Sequence, residues 1–190
     1  MPGPISIVYS DFVLSELQID MAASLGAAAI TLHPDYTDDF TSLVAHSKKR
    51  GLEPIALAET VDAARFGIES GCRCVCLQTM DEAQLVAARK QLESHSNLGT
   101  DDETLFMARL RPESDFSAYA EIDTAWLLRD SGFHCVWPST DAVYATEMAD
   151  IYTTVMAMRS KASRLFMSPR QFLIDRKNEG SKEYLGDILY

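Results

Sequence analysis

Three cysteines, Cys72, Cys74 and Cys76, fall on alternating positions of one short run, and Cys135 lies far along the chain. Alternate positions of an extended segment share one face. Thiols placed this way could form a soft-metal or redox site. A straight strand, however, holds residues i and i+2 about 6–7 Å apart, and tetrahedral zinc sites draw on cysteines in tighter turns. The spacing favours three small apolar residues packing an interior, reduced and too close along one strand to bridge one another easily. The four histidines, His33, His46, His95 and His134, have no mutual spacing that makes a metal site. The expectation is therefore no metal and no cofactor. His33-Pro34-Asp35 is the most suggestive local group. It follows a β-prone run, and Glu59, Asp81, Arg109, Arg111 and Asp141 follow other such runs. A histidine, carboxylates and two arginines at such ends could serve a phosphorylated small molecule, with Arg109, Arg111, Ser139 and Thr140 as candidate phosphate or ligand residues. The alternative is a set of solvated loop residues that cap helices and balance charge; Ser139-Thr140-Asp141 reads simply as the N-cap of a following helix.

Composition bounds what these residues can serve. The chain has 190 residues, 47% of them hydrophobic, enough for one sizeable core or at most two small ones. Its formal net charge of −11 repels phosphate backbones and anionic lipid, so nucleic acid and membrane surfaces are poor partners. Charged residues at 24% and aromatics at 9% are not the composition of a disordered chain. No run approaches the roughly 20 apolar residues of a spanning helix. Met1-Pro2-Gly3-Pro4 lacks the basic and apolar regions of a signal peptide. Free thiols point to a reducing compartment, either cytoplasm or an organelle matrix such as the plastid stroma.

The elements that would position these residues announce themselves through a recurring phrase. Gly26, Gly51, Gly71 and Gly132 each end a helical pattern, and each leads into a short β-prone run: Ala27–Leu32, Leu52–Leu57, Cys72–Leu77 and Phe133–Pro138. A glycine there supplies the left-handed C′ residue of a helix, and an αβ turn then feeds a buried strand. The longer interval before Gly132 holds another candidate strand, Thr104–Leu110, after Gly99. Helical patterns lie between. Thr37-Asp38-Asp39, Thr60 and Asp81-Glu82 mark three starts, and further helices are expected at about 15–25 and 118–130. Strand and helix alternate throughout, which implies a parallel sheet with right-handed crossovers. Six βα units fit, with strands near 5–9, 27–32, 53–58, 72–77, 104–110 and 133–138. A closed eight-unit barrel takes about 250 residues, so the fold class is α/β with an incomplete parallel barrel; an open doubly wound sheet also accommodates six strands.

The opening unit narrows this. Tyr9-Ser10-Asp11-Phe12-Val13-Leu14-Ser15-Glu16-Leu17-Gln18-Ile19 resembles the K-D-F-I-I-D-x-Y-Q-I signature of indole-3-glycerol phosphate synthase, which sits at the third strand of that family's TIM barrel. In register, Ala22–Leu32 looks like the family's A-x-x-x-G-A-D-A-V-L-L. Gly51–Ile55 with Thr60–Ala64 looks like its fifth strand and helix, and Ala125–Val136 like its approach to strand eight. The resemblance covers roughly residues 5–145 and implies barrel strands three to eight.

The departures bear on function. The family's general-acid lysine falls at Ser10, its strand-five glutamate at Leu57, and its strand-six asparagine at Gln78, within Gln78-Thr79-Met80. Ala108-Arg109-Leu110 occupies the place of its E-S-G, and Ser139 that of its phosphate-loop glycine. The first two strands, with another active-site lysine, have no counterpart. Ring closure needs acid–base groups, and serine and leucine supply neither near neutral pH. The resemblance therefore implies a non-catalytic relative serving as a structural or accessory subunit of a larger assembly. The alternatives are a working lyase of tryptophan biosynthesis, closing the ring of a carboxyphenylamino-deoxyribulose phosphate, and a sugar-phosphate binding module without turnover.

Residues 1–145 are thus expected to form the partial barrel and 146–190 a C-terminal helix and docking tail. The helical pattern runs from Asp141 to Arg164, with Val143, Met148, Ile151, Val155 and Met158 on its apolar side, and an apolar ending follows at Leu185–Tyr190. Other protein subunits are the expected partners, through exposed strand edges and the tail. Ser10 and Leu57 are expected to project toward the barrel mouth, about 10 Å apart at two strand spacings, with the old cleft filled by packed side chains. If Gln78 points inward, strand parity puts all three neighbouring cysteines inside as well.

Overall fold

The computed structural model describes residues 6–93, 104–111 and 118–139. The chain divides into two compact units, 1–111 with 127–139, and 112–126 with 140–190. Six strands alternate with five helices: β1 (Val8–Tyr9), α1 (Glu16–Ser24), β2 (Ala29–Leu32), α2 (Phe40–Lys49), β3 (Glu53–Ala58), α3 (Val61–Glu69), β4 (Cys74–Leu77), α4 (Glu82–Leu92), β5 (Leu105–Arg109), α5 (Ala118–Asp130) and β6 (Cys135–Trp137). All neighbouring strands pair in parallel, in the order β1-β2-β3-β4-β5-β6. Sequential order means that every right-handed crossover steps the same way, which puts the crossover helices on one face. That excludes the doubly wound sheet and gives an incomplete parallel β/α barrel. Thr140, Asp141, the helical pattern over 141–164, the tail and the expected domain boundary at 145 lie outside the described residues.

The glycine phrase is a Schellman turn used four times. Gly26, Gly51, Gly71 and Gly132 have φ of 82°, 79°, 93° and 93°. In each case the glycine N–H reaches back three residues and the next N–H five, as in Gly71 to Ile68 and Cys72 to Gly67. The residue after the glycine turns its side chain onto the helix it has just left, so Leu52, Cys72 and Phe133 are buried in the helix-facing core. This corrects the parity expectation for the cysteines. Cys72 belongs to the helix cap, and the extended alternation begins only at Cys74, so Cys74 and Cys76 share the inner face and Cys72 does not.

The helix-facing layer is the main core: Ile30, Leu32, Ala56, Ala58, Val75, Leu77, Phe106 and Ala108 from the sheet meet Ile19, Phe40, Leu43, Val44, Leu85 and Leu92 from the helices. Helix α3 lies so close to β3 that a Cβ at Gly67 would stand 2.6 Å from the Ala56 Cβ. The inner layer is smaller and holds Ile55, Leu57 and Cys76, flanked by Ala29, Cys74, Met107 and Trp137.

Helix starts follow the sequence signals except at α2. The Thr60 hydroxyl accepts from the Ala63 N–H at 3.1 Å, and Asp81 and Gln84 form a reciprocal capping box. Asp39 precedes α2 with a non-extended backbone (φ −103°, ψ 33°) and makes no side-chain cap bond. On the other side of α1, Asp20 accepts from Arg50 Nε at 2.6 Å and shares a hydrogen bond with His46 at 2.7 Å, clamping α1 to α2. The Arg50 hydrogen bond, then that of His46, holds the Asp20 carboxyl below its ordinary value. Among the described residues no helix is long and apolar enough to cross a membrane.

Candidate functional site

Strand register stacks the inward side chains in rows. Thr31, Ile55, Cys74 and Leu105 form one row. Leu57, Cys76, Met107 and Cys135 form the next, toward the C-terminal ends of the strands. Two residues further on, Glu59, Gln78, Arg109 and Trp137 follow. Arg109 and Trp137 are register partners, and the Gln78 N–H continues the ladder by donating to the Ala58 carbonyl at 3.0 Å. An apolar floor thus supports a polar rim. Strand C-terminal ends are where parallel barrels carry their sites, because the βα loops converge there.

Ser10 and Leu57 diverge in environment. Ser10 is exposed, and its Oγ accepts from Thr31 Oγ1 at 3.4 Å. Leu57 is 1% exposed within the inner apolar layer. Leu57 is thus packed in the inner layer, whereas Ser10 lies exposed just past the edge strand, level with Thr31. The carboxylate that leucine lacks reappears two residues on, one row higher, at Glu59.

Glu59 is held by two donors, Tyr36 O–H to Oε2 at 2.6 Å and Gln78 Nε2 to Oε1 at 3.3 Å. The bond to Glu59 pushes the Tyr36 phenol above its ordinary value. Asp35 fixes the loop beneath: its carboxylate accepts from the Glu59 N–H at 3.0 Å and the Thr60 hydroxyl at 3.1 Å. His33 stacks on Phe12 at 4.8 Å between ring centroids, and its buried Nδ1 has no hydrogen-bond partner among the described residues. Burial pushes the imidazole below its ordinary value, against the pull of Glu59 and Asp35 and with help from Arg109. The ring is therefore neutral near pH 7. Arg109 lies over the Trp137 ring, 5.4 Å from its centroid.

Thr79, next to Gln78, has φ 62°, the single positive value among the described non-glycine residues. A β-branched residue pays for that conformation, and its hydroxyl bonds back to the Gln78 carbonyl at 2.7 Å.

Of the residues expected from sequence, His33, Asp35, Glu59, Gln78 and Arg109 come to one mouth. Arg111 is exposed just past β5, Ser139 is buried past β6, and Asp81 caps α4. Tyr36, Phe12 and Trp137 were not expected. An aromatic residue, whether in a loop like Tyr36 or on a strand like Trp137, carries no sequence signal of the carboxylate or cation it will meet. Burial pushes the Cys72 and Cys76 thiols up to about 12 and raises those of Cys74 and Cys135, which disfavours the thiolate at each. No group of three or more histidine, cysteine or carboxylate side chains among the described residues could hold a metal ion.

No protein-family model matches the chain, and no curated protein matches it significantly. Solved structures do. A designed cube-shaped, highly porous cage built by fusing symmetric oligomeric domains aligns with TM-score 0.54 and 15% identity, over 93% of this chain and 58% of that one. The citrate synthase SbnG aligns with TM-score 0.58 and 10% identity, over 81% and 71%. A FabK mutant (M276A) from Thermotoga maritima aligns with TM-score 0.53 and 10% identity, over 72% and 44%. The chain thus spans little more than half of the first and under half of the third. At these identities the shared property is the barrel fold alone, and the likeness to indole-3-glycerol phosphate synthase has no family match behind it.

Proposed function

We propose that this chain is a non-catalytic, barrel-derived subunit that works by docking onto other protein. The observation that carries the reading is the apolar side of its first unit. Leu17 and Met21 on α1 are 77% and 45% exposed, and Leu14, just before its N-cap, and Leu25, its C-cap residue, are 61% and 71% exposed. On the edge strand and its approach, Ile7 and Val8 are 57% and 39% exposed. Large exposed apolar patches on a protein surface commonly mark interaction sites. This one lies where a further βα unit would pack in a closed barrel. Strand β1 has only two residues, a length that blunts edge-to-edge pairing, so the helix side chains supply the contact. The absence of ionisable groups at Ser10 and Leu57 supports the loss of the ring-closing chemistry that the sequence resemblance implies.

Gel filtration of an extract of cells making the full chain, detected by blotting, tests this. The wild-type chain is expected well above its monomer mass of 21.1 kDa. The variant Leu17→Ser/Met21→Ser/Leu25→Ser, all exposed positions that leave the fold intact, is expected at the monomer mass. Elution of the wild-type chain as a monomer would overturn the proposal.

A further inference from the structure

Glu59 and Arg109 carry opposite charges on the same rim row, separated by Gln78, and they do not pair. Glu59 spends its two oxygens on the neutral donors Tyr36 and Gln78. Arg109 is half-buried and lies over Trp137, with no carboxylate partner among the described residues. Charges withdrawn from water are ordinarily paired or hydrogen-bonded, and here two complementary ones stand ready on either side of an amide. Two strand spacings put their backbones about 10 Å apart, a gap that the two side chains narrow from both ends. We propose that this mouth binds a small zwitterion, an amino acid or related amine-bearing acid, with its carboxylate on the Arg109 fork and its ammonium on Glu59.

Each part of the mouth has a role in that arrangement. The guanidinium plane matches a carboxylate with two parallel N–H···O bonds. The Gln78 amide, between the two charges, is placed to hydrogen-bond the middle of the ligand. The apolar row of Leu57, Cys76 and Met107 beneath supplies a dry floor for methylene groups. Charge selects against the simpler ligands. A bare anion would meet Glu59 and Asp35 as well as Arg109, on a chain of net charge −11. A bare amine would leave Arg109 uncompensated. His33, whose burial keeps it neutral near pH 7, adds no charge to either side. This binding goes beyond docking and does not depend on it, since the mouth and the α1 side chains are different surfaces.

Trp137 under Arg109 makes the site self-reporting. Its emission is to be followed in the full chain during titration with glycine, β-alanine, γ-aminobutyrate and 5-aminovalerate, a series of growing charge separation. Propionate and propylamine serve as single-charge controls at matched ionic strength. One member of the series is expected to saturate the signal at least tenfold more tightly than either control, with the change lost in Trp137→Phe. Arg109→Gln and Glu59→Gln are each expected to weaken it at least tenfold with an unchanged circular dichroism spectrum, and Arg109→Lys, which keeps charge but loses the fork, to weaken it less. If Arg109→Gln fails to fold, Arg109→Lys together with Glu59→Gln carries the test. Equal binding of propionate, or no saturation by any member of the series, would overturn the proposal.

Discussion

Placing a carboxylate at Leu57 separates a packed barrel floor from a wet cleft. Leu57 is 1% exposed among Ile55, Cys76, Met107 and Trp137. Removing that side chain from the apolar layer forfeits about 1.5–3 kcal/mol of burial. The carboxylate of Leu57→Glu must then ionise in the same layer or stay protonated. A rise of about two units in its folded-state pKa is worth about 2.7 kcal/mol above that pKa. The expected total is about 4–6 kcal/mol near pH 8, a large fraction of the stability of an ordinary domain. The sign with pH follows. A folded pKa raised above the unfolded value imposes a penalty that is full above the folded pKa and disappears below the unfolded one, so acidification narrows the gap to wild type. Leu57→Gln carries the burial loss without the pH dependence. Arg109, close enough to act on Cys76, offsets part of the penalty, and adding Arg109→Gln to Leu57→Glu deepens it. Urea unfolding followed by circular dichroism at about pH 5 and pH 8 reads all of this. A Leu57→Glu midpoint equal to wild type at both pH values would refute the packed floor. Ser10→Lys is the internal contrast: exposed and loosely bonded, it is expected to change the unfolding free energy by less than about 0.5 kcal/mol.

Gly67→Ala is expected to destabilise by about 1–3 kcal/mol, because its Cβ would stand 2.6 Å from the Ala56 Cβ. Ala56→Gly in the same chain should restore part of that loss, in a double-mutant cycle of urea midpoints. Asp20→Asn is expected to lower the melting temperature at neutral pH. Because the folded Asp20 carboxyl sits below its ordinary 3.8, its contribution is present above that value and is lost as pH falls through the folded pKa, so wild type and variant should converge in acid. Convergence that fails to appear would mean the Asp20–Arg50–His46 clamp adds nothing.

What the sequence determined was local. Gly26, Gly51, Gly71 and Gly132 were legible as helix ends because a positive φ costs glycine almost nothing and other residues a good deal, and all four helix ends use it. The capping signals at Thr60 and Asp81 were legible for the same reason: each is satisfied within four residues. Six alternating units therefore came through, and with them the parallel sheet. Asp39 failed as a cap because the backbone before α2 turns out of the extended geometry that a capping side chain needs. Cys72 was misplaced because alternation counts from where a strand begins, and the Schellman turn holds this residue back for the helix layer. The sequence nominated Glu59, Gln78 and Arg109 for strand ends, but their adjacency in one row, and Trp137 beside them, was beyond it. Glu59, Gln78, Arg109 and Trp137 come from four separate units, and only the hydrogen-bonded register of β3 to β6 decides that they share one row above Leu57, Cys76 and Met107. Register is a long-range quantity: sliding one strand by a residue would turn its whole inward set to the other face. The residues of the mouth were written in the chain, and their adjacency was written in the sheet.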